Sequence, residues 1–103
     1  MKVTLTGKFK KGVSAKDLIL KLIGDVKADG ADYMSVEFHG SGILDMSIAE
    51  RMTLCNMGIE FGAKNAVCPP DEKVLAAIKG ILKAIDGEIP VQLGGGIRSL
   101  ETI

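Results

Sequence analysis

The chain has 103 residues, 47% of them hydrophobic and 25% charged, enough for one domain with its own core. Thirteen Lys and Arg balance thirteen Asp and Glu, and a zero net charge argues against a nucleic-acid or anionic-membrane partner, since both attract a basic excess. No run has the length of a membrane span and the N-terminus lacks a signal-peptide apolar core, so the expectation is a cytoplasmic protein.

"KVTLTGKF" opens the chain with Val3 and Leu5 alternating against Thr4 and Thr6, the pattern of a half-buried strand. Lys8, Lys10 and Lys11 then form a small basic cluster, read as a solvated strand end. Ser14 with Asp17 three residues on makes a capping-box pattern, and Leu18, Ile19, Leu22 and Ile23 form one helical stripe that Gly24 can stop. A second strand is expected from about Tyr33 to Phe38. Ser47 and Glu50 form another capping box, opening a helix with Ile48, Met52, Cys55 and Ile59 toward the core and Gly62 at its end. "NAVCPP" reads as a short strand. "DEKVLAAIKGILKAIDG" reads as a third amphipathic helix, capped by Asp71 and ended by Gly87, with Val74, Leu75, Ile78, Ile81, Leu82 and Ile85 on one face. Residues 91–93 begin a fourth strand, and Ser99 is the next N-cap.

The order is β-α-β-α-β-α-β, with the last helix clipped. Long crossovers between strands make this an α/β protein: a single three-layer domain with about four mostly parallel strands. The same pattern fits a doubly wound domain and half of a TIM barrel.

The cysteines are Cys55 and Cys68, and the only histidine is His39. No Cys-x-x-Cys occurs, so spacing supports neither a zinc nor a redox site, and both thiols are expected buried in a reducing compartment. Metal ligands are therefore not expected. His39 reads as a surface residue at a strand end. Asn56 and Glu60, four apart on the expected helix, project side by side at the edge of the core stripe. An amide and a carboxylate placed so can hold an oxygen-rich ligand. Gly94 to Gly96, between a strand and a helix start, expose backbone N–H groups to an anion, and Arg98 can add a charge-assisted bond to phosphate or sulfate.

"GVSAKDLILKLIG", "VEFHGSGI" and "RMTLCNMGIEFGAKNAVCPPDE", in this order and spacing, resemble the large subunit of isopropylmalate dehydratase and homoaconitase, in the aconitase superfamily. The resemblance runs from about Lys2 to Val74. It implies that the "NM-x-x-E" helix gives an asparagine and a glutamate to the active site, near the substrate and a cluster-bound oxygen; these are Asn56 and Glu60. It also implies an iron–sulfur cluster held by three cysteines elsewhere in a long chain. Neither Cys55 nor Cys68 matches one of those ligands, so no cofactor is expected here and that active-site set is not intact.

"IPVQLGGGIRSLETI" resembles instead the TIM-barrel isomerase of histidine biosynthesis, over about Leu75 to Ile103. By that resemblance Gly95, Gly96 and Arg98 bind a substrate phosphate, while the paired catalytic aspartates of that family lie on strands not found here. Two resemblances meeting near Val74, inside one helical pattern, imply an engineered or recombined chimera with no evolved catalytic activity. The alternatives are a fragment of an isopropylmalate dehydratase or aconitase-type hydro-lyase, and a phosphate-binding module at the glycine turn. An open sheet edge and a clipped helix predict self-association as a homodimer or by strand exchange.

Overall fold

The computed structural model describes residues 1–85, and the chain divides after Pro69 into two compact units. In the first unit, three short parallel strands lie in the order β1 (Lys2–Thr4), β2 (Ser35–His39), β3 (Asn65–Val67). Val3 pairs with Phe38 and Val36 with Ala66, and these alternate residues face the core. Lys2, Thr4, Ser35, Glu37, Asn65 and Val67 point the other way and are exposed. The unit is therefore α/β with a small parallel sheet, as its alternating pattern predicts. β2 starts two residues later than expected, because Tyr33 takes a left-handed turn conformation (φ 61°).

Helix α1 (Ala15–Val26) begins at the expected capping box. The Asp17 N–H donates to Ser14 Oγ at 3.3 Å, and the Ser14 N–H donates to the Asp17 carboxylate at 2.8 Å. Two donors that the first helical turn leaves open are thus satisfied within four residues. Ile19 is fully buried, with Leu18, Leu22, Ile23 and Val26 packed around the core. Gly24 does not stop the helix. The chain leaves it at Lys27, whose φ is 72° and whose N–H reaches the Ile23 carbonyl at 2.8 Å.

After β2 comes a short helix not expected from the sequence, α2 (Ser41–Asp45). Gly40 enters it at φ 102°. The Leu5 N–H donates to the His39 carbonyl at 2.7 Å, and the Gly42 N–H donates to the Leu5 carbonyl at 2.9 Å. The segment leaving β1 thereby clamps the start of α2. Helix α3 (Ile48–Asn56) opens at the Ser47–Glu50 capping box, as predicted, with both reciprocal bonds formed. It does not run on as one α-helix. Met57–Phe61 tightens into a 3-10 segment, which ends at Gly62 in the left-handed conformation (φ 91°), the position expected to terminate the element. Ile19, Val36, Phe38, Leu54 and Phe61 are the largest fully buried side chains.

The second unit contributes α4 (Glu72–Ile85), whose first turn is capped by Asp71: its Oδ1 accepts from the Val74 N–H at 3.2 Å. Gly87, the fourth strand at 91–93, the glycine turn and Ser99 lie outside the described residues.

Candidate functional site

Asn56 closes α3, and Glu60 sits in the 3-10 segment that follows. Both are exposed. They are not four apart on one α-helix, as the sequence suggested, because the helix changes pitch between them. In 3-10 geometry residues three apart eclipse, so the side-by-side alignment expected four apart on one α-helix does not carry across Met57.

The inward face of this element also differs from expectation. Met52 is 58% exposed and Ile59 74% exposed, while Ile48 and Cys55 are half-buried. The buried stripe is Arg51, Leu54, Gly58 and Phe61. Its spacing is helical, but its phase is rotated by about one residue, some 100° around the axis. Arg51 reaches back under the helix start, where its Nε donates to the Met46 carbonyl at 3.2 Å. The exposed side of the element then carries Met52, Asn56, Ile59 and Glu60, two apolar groups alternating with an amide and a carboxylate.

Backbone bonds fix the 3-10 segment. The Ala31 N–H donates to the Phe61 carbonyl at 2.9 Å, and the Ala63 N–H donates to the Gly58 carbonyl at 3.2 Å. The Lys64 N–H donates to the Met34 carbonyl at 2.9 Å. The segment preceding β2 and the segment preceding β3 therefore both brace the turn that bears Glu60.

Cys55 and Cys68 come together: their Sγ atoms lie 3.7 Å apart, between the last turn of α3 and the residue after β3. Both are half-buried, not fully enclosed. Their separation in sequence gave no sign of this. His39 ends β2 as expected, with Nε2 at 2.9 Å from a Glu37 carboxylate oxygen on the open face of the sheet. That hydrogen bond holds the Glu37 carboxyl below the usual carboxylate range.

A cleft of about 410 Å³ opens beside the segment following β1, lined by Leu5, Phe9, Leu18, Met46, Lys8 and Glu50 among others. Lys8, read from the sequence as merely solvated, is part of its rim. Asn56 and Glu60 do not line it. Among the described residues no group of three or more His, Cys, Asp and Glu converges as a metal site, and no helix is long and apolar enough to cross a membrane. Gly95, Gly96 and Arg98 lie outside the described residues.

The aconitase family (aconitate hydratase) matches residues 1–87. The chain is 51% identical over 78 residues to the 3-isopropylmalate dehydratase large subunit 1 of Methanopyrus kandleri, covering 76% of this chain and 19% of that protein. Against the large subunit 1 of Mannheimia succiniciproducens it is 48% identical over 89 residues, 86% of this chain and 19% of the relative. Against a probable methanogen homoaconitase large subunit of Methanosarcina mazei it is 51% identical over 78 residues, 76% of this chain and 20% of the relative. The chain thus spans about a fifth of the length of these relatives. The family match runs past Val74, where a seam was expected, and takes in all of α4. On the identity and the extent of that match, the chain belongs to the aconitase family.

Proposed function

We propose that this chain acts as part of the large subunit of a hydro-lyase of the 3-isopropylmalate dehydratase or homoaconitase type, where it presents Asn56 and Glu60 to the substrate. The exposure of these two residues at a 3-10 segment braced by backbone hydrogen bonds carries the reading. In an isolated domain an amide and a carboxylate flanked by exposed Met52 and Ile59 have no evident structural task, whereas a surface that meets substrate or further protein needs such a mixture. A carboxylate accepts a hydrogen bond from a substrate hydroxyl or water, and an amide both donates and accepts. Together they can orient a hydroxy acid.

The iron–sulfur cluster implied by the family resemblance does not fit these residues. Cluster ligation takes three converging thiolates or more. This sequence has two cysteines, and they face each other across 3.7 Å. The role proposed for this chain is therefore substrate contact, with the cluster ligated by other segments. The test is to exchange residues 1–87 for the matching segment of a complete relative and assay dehydration of isopropylmalate. Activity is expected. A folded, cluster-loaded but inactive hybrid would overturn the reading.

A second reading concerns the residues beyond the family match. Residues 88–103 fall outside it, and it is there that "IPVQLGGGIRSLETI" resembles the TIM-barrel isomerase. We propose for this stretch a recombined origin and a phosphate-binding turn at Gly95, Gly96 and Arg98. Phosphate should shift the amide NMR signals of residues 94–99, and Arg98→Ala should weaken the response. Signals unmoved at millimolar phosphate would end this reading.

A further inference from the structure

Cys55 and Cys68 form an arrangement that substrate contact does not use. A disulfide needs its sulfurs about 2.05 Å apart, and here they are 3.7 Å apart. Cys55 belongs to the last turn of α3 and Cys68 directly follows β3, and both pack against the same buried core. Two elements packed on one core therefore hold the thiols within reach of each other. Both residues are half-buried, so a small oxidant can reach them. We propose that Cys55 and Cys68 are a redox-sensitive pair that closes an intramolecular disulfide on exposure to a peroxide.

The chemistry balances without further reactants. The thiolate of one cysteine attacks a peroxide oxygen and breaks the O–O bond, giving a sulfenic acid and expelling hydroxide from hydrogen peroxide, or alkoxide from an alkyl peroxide, which takes up the proton lost by that thiol. The thiolate of the second attacks the sulfenic sulfur, forming the S–S bond and expelling hydroxide, which takes up the proton lost by that thiol. Two thiols and one hydrogen peroxide become one disulfide and two waters, with the sulfurs oxidised and the peroxide oxygens reduced. A dithiol reductant reverses the bond.

The loop so closed contains Asn56, Gly58 and Glu60, the whole 3-10 segment and β3. Oxidation would staple the segment that bears the candidate substrate residues. That consequence for a substrate site rests on the function proposed above; formation of the bond does not.

The experiment uses the full 103-residue chain, reduced and then treated with a few equivalents of hydrogen peroxide, alkylated in denaturant and mapped by mass spectrometry. The expected product is a monomer about 2 Da lighter that resists alkylation, yields a peptide pair joined through Cys55 and Cys68, and reverts with dithiothreitol. In Cys68→Ser, Cys55 should instead be trapped by dimedone as a sulfenic acid. Both cysteines still alkylated after peroxide, linkage only between chains, or a sulfinic acid at one cysteine would overturn the pair. Amide exchange over residues 56–67 should slow roughly tenfold in the oxidised form; equal exchange in both forms would overturn the stapling. Neither readout depends on dehydration activity, so failure here and failure of the proposed function are separable.

Discussion

Gly58 lies so close to Ala66 that a Cβ on the glycine would stand 3.0 Å from the alanine Cβ. The 3-10 segment is thus seated directly on β3, and the seat sits between Asn56 and Glu60. Gly58→Val should force the two apart and cost about 1–3 kcal/mol by overpacking. Urea denaturation measures this as a lower midpoint at unchanged slope. A midpoint equal to the parent's would mean that the 3-10 segment is not held against the strand.

Gly40 and Gly24 should respond to alanine in opposite directions. Gly40 has φ 102°, and a Cβ there would collide with the Leu5 carbonyl. Gly40→Ala should therefore lower stability by about 2 kcal/mol or more. Gly24 is exposed, lies inside α1 and would place its Cβ in open space. Gly24→Ala should raise stability by about 0.5–1 kcal/mol, through helix propensity and a less free unfolded chain. Thermal melts of the two variants should move down and up respectively.

Asp17 should titrate below an ordinary aspartate. The Ser14 backbone N–H and hydroxyl donate to its carboxylate and lower its pKa. A depressed folded-state pKa means stability that is present above the unfolded value and lost as pH falls through the folded one. The start of α1 should therefore loosen only below about pH 4. Carboxyl NMR titration measures the midpoint directly, and Ser14→Ala should raise it toward the ordinary value. The backbone N–H of residue 14 still donates in that variant, so an unchanged midpoint would deny the Ser14 hydroxyl its part.

Features that close within a few residues were legible in the sequence. The Ser14–Asp17 and Ser47–Glu50 boxes and the Asp71 cap depend on side chains reaching nearby backbone, and the stop at Gly62 on a left-handed φ that glycine adopts freely, so local sequence suffices. The inward phase of α3 was not legible. Apolar periodicity pointed to Ile48, Met52, Cys55 and Ile59, yet the buried stripe uses Arg51 and Gly58 with Leu54 and Phe61. An arginine that turns its guanidinium back to a carbonyl, and a glycine buried for its lack of a side chain, both look polar or neutral in a sequence. The pitch change after Asn56 was hidden for a similar reason: it is set by contacts with β3 and the segment before β2. The Cys55–Cys68 contact joins two elements that only the tertiary fold brings together. The motif words themselves identified the family, while the seam placed near Val74 did not anticipate a match continuing to residue 87.

Substrate contact by Asn56 and Glu60 is the central claim, and Glu60→Gln in an active hybrid large subunit carrying residues 1–87 tests it most directly. The measurement is kcat/KM for isopropylmalate dehydration, with cluster absorbance recorded alongside. The rate should fall by roughly 100-fold or more while the absorbance stays unchanged. A hybrid that keeps the parent rate with glutamine at this position would contradict the account.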